Sequence, residues 1–189
     1  MAHHDPAAAH RAAGPARVRC AVVTVSDTRT LEDDPSGDAI RDRLTAAGHE
    51  VARRDLVRDD PPAIDAALTA ALDAGAQAVL LTGGTGLTRR DSTYEVVTAR
   101  IERPIPGFGE LFRMLSFEQV GAAAMISRAT AGTVGDAVVF ALPGSRKAVE
   151  LALERLIVPE LGHVLEQLGR ESRAEGGSGG EGAQSARFP

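Results

Sequence analysis

Three short runs in the chain are apolar at almost every position: VRCAVVTV from Val18, AQAVLLTG ending at Gly83, and AVVFALP from Ala137. Unbroken apolar runs of this length fit strands that are buried on both faces. A fourth run, EVARRDLV from Glu50, alternates and predicts a further strand. Helical spacing fills the gaps. Ile40, Leu44 and Ala47 recur one turn apart and stop at Gly48, while PPAIDAALTAALDAG opens on Pro61 and closes on Gly75. Further helices are predicted over 93–103, 109–117, 145–156 and 160–168. Strand–helix alternation with short turns predicts an α/β fold, a mostly parallel sheet covered by helices on both faces.

Residues 1–17 carry neither period, and residues 170–189 include GGSGGEG. Both are expected to be disordered tails around a folded domain over 18–169. The net charge is −5 and aromatics are only 3%, so neither a basic surface nor a stacking platform for nucleic acid is expected. No apolar run nears the ~18 residues that would span a bilayer, and no signal-peptide core is visible. A cytoplasmic protein without membrane or nucleic-acid partners is the expectation. Cys20 is the single cysteine. It excludes an internal disulfide, and its apolar surroundings predict a buried, inert thiol.

In open α/β sheets ligands bind beyond the carboxyl ends of the strands. Four turns therefore carry the candidate chemistry. TGGTGLTRRDSTYE, from Thr82 to Glu95, has Gly83, Gly84 and Gly86 where a backbone could approach a ligand and offer its N–H groups to an anion. It lacks the Gly-Lys-Ser/Thr of a Walker loop and the spacing of a dinucleotide fingerprint. Asp91 reads either as an acid ahead of a Ser92–Glu95 capping box or as a carboxylate aimed at a divalent cation. Asp60 is predicted to cap the helix that opens at Pro61, leaving Asp59 to face the crevice. Ser26 and Asp27 follow the first strand. Gly144 and Ser145 open a helix after Pro143, with Lys147 one turn in. Each is also consistent with an ordinary cap or turn. Together they point to a phosphate-bearing small molecule. A serine hydrolase is not supported, because GxSxG is missing and His49 and His163 sit at structural or exposed positions. The segment RPIPGFGELFRMLSFEQVG reads as core packing or as a subunit interface.

Taken in order, TVSD, LVRDDPPAI, TGGTGLTRRDSTYE, PGFGELFRMLSFEQVG, SRATAG and FALPGS resemble the MoaB/MogA family of molybdenum cofactor biosynthesis, related to the first domain of plant Cnx and animal gephyrin proteins. The likeness spans the whole folded body. FGELFRMLSFEQVG and the ALPGS ending are closer to the MoaB branch. The resemblance implies a single three-layer α/β/α domain that assembles as a homotrimer or hexamer. It also implies Mg2+-dependent adenylylation of molybdopterin by ATP, giving adenylyl-molybdopterin and pyrophosphate, with the product passed to a molybdate-insertion enzyme. Asp59 and Asp91 match the family's catalytic, magnesium-holding aspartates. Ser26, Asp27, Thr82, Gly83, Gly84, Thr85, Gly86 and Ser92 would hold molybdopterin, and Gly107, Pro143, Gly144 and Ser145 would line the nucleotide side. The alternative is a MoaB-type oligomer that binds or carries molybdopterin without catalysis.

Overall fold

The three apolar runs become the inner strands of one six-stranded sheet. A computed structural model describes residues 15–176. The strands β1 (Arg19–Val25), β3 (Ala78–Thr82) and β6 (Ala137–Leu142) are buried along nearly their whole length. The alternating run forms the half-buried edge β2 (Glu50–Val57). Two strands were not foreseen: β4 (Arg103–Pro104) and β5 (Thr130–Val134). The order is β2-β1-β3-β6-β5-β4. The first four run parallel, and β5 runs antiparallel to both β6 and β4.

Because successive side chains point to opposite faces, the central strands feed two separate cores. Val18, Cys20, Val22, Leu80, Phe140 and Leu142 pack under α1 (Pro35–Ala46), α4 (Pro106–Val120), α5 (Arg146–Ala152) and α6 (Val158–Gly176). Ala21, Val23, Val79, Leu81 and Ala141 pack under α2 (Pro61–Asp73) and α3 (Thr93–Arg100). Each fully buried Leu or Val removes enough apolar surface to stabilise the fold by roughly 1.5–3 kcal/mol. The result is a three-layer α/β/α domain. Burial first, and the nearby Glu50 charge second, push the Cys20 thiol up to about 12, so it packs as an apolar group.

Several boundaries differ from expectation for physical reasons. The helix predicted over 93–103 stops at Arg100, because Ile101 turns extended and the Glu102 amide donates to the Thr133 carbonyl at 2.9 Å. The chain is drawn into the sheet instead. The helix predicted from 109 starts at Pro106, whose missing N–H costs nothing in a first turn. The two C-terminal helices are continuous through a wide π turn over Leu153–Ile157, where the Val158 amide bonds the Leu153 carbonyl. That turn loosens the ladder just ahead of Pro159, which has no N–H to give. The last helix then runs on to Gly176. Of the tails expected over 1–17 and 170–189, residues 1–14 and 177–189 lie outside the described residues, and residues 170–176 continue the last helix.

One buried polar network fixes the start of α1 against the end of β1. The Asp34 side chain is 2% exposed. It accepts from the Thr24 hydroxyl at 2.6 Å, the Gly37 amide at 2.9 Å and Arg54 Nη2 at 3.0 Å. Arg54 Nη1 reaches Asp38 at 2.6 Å. Burial works against the Asp34 charge, but the bonds from Thr24, Gly37 and Arg54 outweigh it and hold the carboxyl below its ordinary 3.8. Asp34→Ala should lower stability by about 3 kcal/mol at neutral pH, through a lost cap and a half-buried guanidinium left short of a partner. A depressed native value gives stability that is full above the ordinary 3.8 and is lost as the pH falls through the lowered value. Denaturant titrations of both proteins across that acid range should therefore converge, and parallel curves would refute the assignment.

Candidate active site at the carboxyl edge of the sheet

The turns after β1, β2, β3 and β6 do meet, and backbone contact brings them together. Gly83 has φ +97, and its amide donates to the Leu142 carbonyl at 3.1 Å. A Cβ on Gly83 would lie 2.2 Å from the Val25 carbonyl oxygen, and one on Gly144 would lie 3.2 Å from Gly83 Cα. A side chain at Gly83 would force the β1 and β3 turns apart, and one at Gly144 would press on Gly83 more tightly than ordinary contact. Buried Thr82 ties the same junction by donating its hydroxyl to the Pro143 carbonyl at 2.9 Å. Ser36 donates to the Gly144 carbonyl at 2.8 Å.

Carboxylates knit the remaining turns. Asp27 Oδ1 accepts from the Asp59 amide at 3.4 Å and lies 3.6 Å from Arg58 Nε, while Oδ2 pairs with Arg90. Asp59 Oδ1 accepts from the Ser92 amide at 3.0 Å and its hydroxyl at 2.8 Å. The other Asp59 oxygen, Oδ2, sits where a Gly84 side chain would be, 2.6 Å from the ideal Cβ. Asp91 Oδ2 accepts from the Thr88 amide at 2.8 Å and the Thr88 hydroxyl at 2.5 Å. It also lies 2.7 Å from the ideal Cβ of Gly86. The Thr88 hydroxyl is the largest cause holding the Asp91 carboxyl below its ordinary value. Partial burial opposes it, and the Thr88 and Gly86 amides and the Arg128 charge add to it. Asp91 is therefore ionised at neutral pH. Asp59 is bonded to the residue next to Asp91, so the two acids flank one glycine loop.

A pocket of about 410 Å³ opens between the turns, lined by Gly84, Thr85, Gly86, Asp91, Pro143 and Gly144 among others. Across the Gly83–Gly144 contact lies a smaller one of about 110 Å³, reached by Ser26, Thr82 and Ser36. A third, of about 800 Å³, extends from Pro143 and Ser145 toward Lys147 and Arg155. Gly107 stands apart from these, in the first turn of α4 and lining none of the three. Among the described residues no three His, Cys, Asp or Glu side chains gather as a metal cage. A pair of carboxylates still fits Mg2+, which binds through one or two carboxylates and completes its shell with waters and substrate phosphates.

Some expected roles change. Asp60 occupies the N-cap position of α2, yet its side chain makes no capping bond. Ser92 likewise does not cap α3, because its hydroxyl is committed to Asp59, and Glu95 pairs with Arg128 rather than closing a capping box. Ser145 does cap α5, accepting from the Ala148 amide at 3.3 Å. The Ser26 hydroxyl accepts from the Thr28 and Arg29 amides and so shapes its own turn. The Gly83 amide is used by the sheet and the Gly86 amide by Asp91, while Gly84 and Thr85 lie between them on the pocket wall. Arg58, Arg90 and Arg128 were not anticipated. Their partners lie far away in sequence, and no local spacing signals them.

The segment over 103–121 divides between two surroundings. Phe108, Phe112 and Leu115 face the core, whereas Leu111, Met114, Phe117 and Val120 are exposed. The short 3₁₀ turn that follows (Gly121–Ile126) exposes Met125 and Ile126. Among the described residues no helix is long and apolar enough to cross a membrane.

Comparison with known proteins places this geometry. Residues 21–163 match the family described as a probable molybdopterin binding domain. Molybdenum cofactor biosynthesis protein B of Bacillus cereus is 49% identical over 164 residues, covering 86% of this chain and 97% of that protein. A crystal structure of a molybdenum cofactor biosynthesis protein B superposes with a TM-score of 0.80 at 49% identity, covering 82% of this chain and 98% of that one. The tungsten cofactor synthesizing protein MoaB from Pyrococcus furiosus gives a TM-score of 0.75 at 38% identity, covering 82% of this chain and 98% of that one. With 82–86% of this chain and 97–98% of those proteins covered, the chain belongs to the MoaB/MogA family of molybdenum cofactor biosynthesis proteins.

Proposed function

We propose that this protein adenylylates molybdopterin in the cytoplasm, using ATP and Mg2+. The observation that carries the reading is the pair Asp59 and Asp91, anchored on either side of the same glycine loop at the carboxyl edge of the sheet. A protein that only carried molybdopterin would have no need of two carboxylates beside a phosphate. In the reaction, an oxygen of the molybdopterin phosphate forms a bond to the α-phosphorus of ATP, and the bond from that phosphorus to the bridging oxygen breaks to release pyrophosphate.

The residues contribute mainly by placement. The Gly84 and Thr85 amides meet phosphate oxygens, and the turn over Ser26 and Asp27 bounds the molybdopterin side together with Thr82, Gly83, Gly86 and Ser92. Pro143, Gly144 and Ser145 bound the nucleotide side, where Lys147 lines the adjoining cavity. Gly107 is kept as a nucleotide contact on the resemblance alone, since it lies apart from these pockets. Mg2+ would be held by Asp59 and Asp91, supplying positive charge to the phosphates as charge moves onto pyrophosphate. Thr88 keeps Asp91 ionised and aimed.

The exposed apolar stripe of α4 supports a homotrimer or hexamer, because stripes of this kind mark contact surfaces. Its product would go to a molybdate-insertion enzyme.

Mixing the protein with molybdopterin, ATP and magnesium should yield adenylyl-molybdopterin by mass spectrometry, with pyrophosphate released in equal amount. Tight molybdopterin binding without product would favour the carrier. Asp59→Asn and Asp91→Asn should each fold and bind molybdopterin but lose turnover by about a hundredfold or more. Near-normal turnover in both would remove the aspartates from the mechanism. Thr88→Val deletes the hydroxyl bond that does most to keep Asp91 charged, so the acid limb of the rate profile should move to higher pH. An unmoved limb would sever Asp91 from it. Met114→Glu with Phe117→Glu should sediment as a smaller species than the parent protein; equal sedimentation would exclude this stripe from the assembly.

A further inference from the structure

Arg128 lies in the segment that leads into β5, and the chemistry above gives it no part. Its side chain is only 20% exposed. The guanidinium reaches in three directions. Nε donates to the Thr85 carbonyl at 3.2 Å, Nη2 donates to the Asp91 carbonyl at 3.2 Å, and Nη1 pairs with the Glu95 carboxylate. Its centre stands 5.0 Å from the middle of the Tyr94 ring, within range of a cation–π contact.

Thr85 and Asp91 are the two ends of the glycine loop's excursion. The residues between them, Gly86 to Arg90, are all exposed, while Thr85 is buried. The ends are held from outside the loop by the Thr93 amide's bond to the Gly84 carbonyl at 2.9 Å and by Ser92's bonds to Asp59, while Arg128 joins the Thr85 and Asp91 carbonyls to each other directly. Arg128 reaches no reacting atom of the proposed reaction; it touches the loop through two main-chain oxygens. Only a planar fork of donors can serve both carbonyls and the Glu95 carboxylate together, and a lysine ammonium cannot reproduce it.

We propose that Arg128 is a positioning residue: by joining the Thr85 and Asp91 carbonyls it sets the geometry in which the glycine loop presents its amides and the Asp91 carboxylate to the phosphates. The proposal rests on the adenylylation reading for its catalytic consequence, but the clamp on the loop does not. Its charge also helps to keep the Asp91 carboxyl ionised, after the larger effect of Thr88. Glu95 and Tyr94 hold the guanidinium on the side away from the loop.

The test uses the full chain carrying Arg128→Ala, Arg128→Lys or Glu95→Gln. Amide exchange is followed by mass spectrometry, and adenylylation is followed against magnesium concentration. In Arg128→Ala the Thr88 amide, bonded to Asp91 in the parent protein, should exchange about tenfold faster, with the sheet unchanged. Turnover should fall by about a hundredfold and half-maximal rate should need more magnesium. Arg128→Lys keeps the charge without the fork and should stay within about threefold of the alanine variant. Added guanidinium, but not methylammonium, should partly restore Arg128→Ala. Glu95→Gln retains both carbonyl bonds and should cost less than about threefold. Parent-like exchange at Thr88 in Arg128→Ala, or parent-like turnover in Arg128→Lys, would overturn the proposal. If Arg128→Ala does not fold, the lysine variant decides by the same two readouts. A parent protein with no adenylylation would overturn the catalytic consequence and the function on which it rests, while the exchange data would still decide the clamp.

Discussion

Everything at this site depends on a close backbone approach. Gly83 passes so near the Val25 carbonyl and the Gly144 backbone that no Cβ fits in the first gap, and the second is tighter than ordinary contact. That approach lets the Gly83 amide extend the pairing of β3 with β6 one residue beyond the sheet, to the Leu142 carbonyl. The β1, β3 and β6 turns are thereby drawn to one point. The packing beneath serves this convergence, since two apolar cores hold the central strands rigid and the Asp34–Thr24–Arg54 network pins the start of α1 beside them. A positive φ at Gly83 is natural for glycine and strained for other residues.

On that frame the acidic side chains act as cross-links before they act as chemistry. Asp27 joins the first turn to the second and third, Asp59 joins the second to the third, and Asp91 closes the third on itself through Thr88. Each carboxylate is oriented by donors from main chain or hydroxyl, an arrangement that fixes its direction. The same bonds that shape the loops leave Asp91 on the wall of the pocket between the turns, with Asp59 behind it against Gly84 and Ser92. In the proposed reaction, a site prepared in this way would have little reorganisation left to do.

How much of this could be read in advance follows from the range over which each feature is determined. The inner strands were plain, because burial on both faces imposes an apolar residue at every position from Ala78 to Leu81. The carboxyl-edge turns followed from strand–helix alternation alone. β5 was hidden because Thr130, Gly132 and Thr133 interrupt its apolar pattern, although the two-residue Gly135–Asp136 link into β6 is a hairpin signal. The capping box at Ser92 and Glu95 was a sound local inference that lost to distant partners, Asp59 for one residue and Arg128 for the other. Asp60 stands where a cap belongs and does not cap. Arg128 itself, in SRATAG, has no local feature that sets it apart from a surface arginine. Its meaning lies wholly in what the fold brings to it.

The 3₁₀ turn after α4 has a double position. Ala123 and Ile126 line the larger crevice pocket, while Met125 and Ile126 are 79% and 55% exposed on the outer apolar surface. A single stretch of backbone is therefore wall to the pocket and part of the outer face. A partner on that face that shifted this stretch of backbone would also change the volume behind it, and occupancy of the two would then be linked. Linkage is reciprocal. A ligand whose affinity rose when the face was covered would tighten the cover by the same factor.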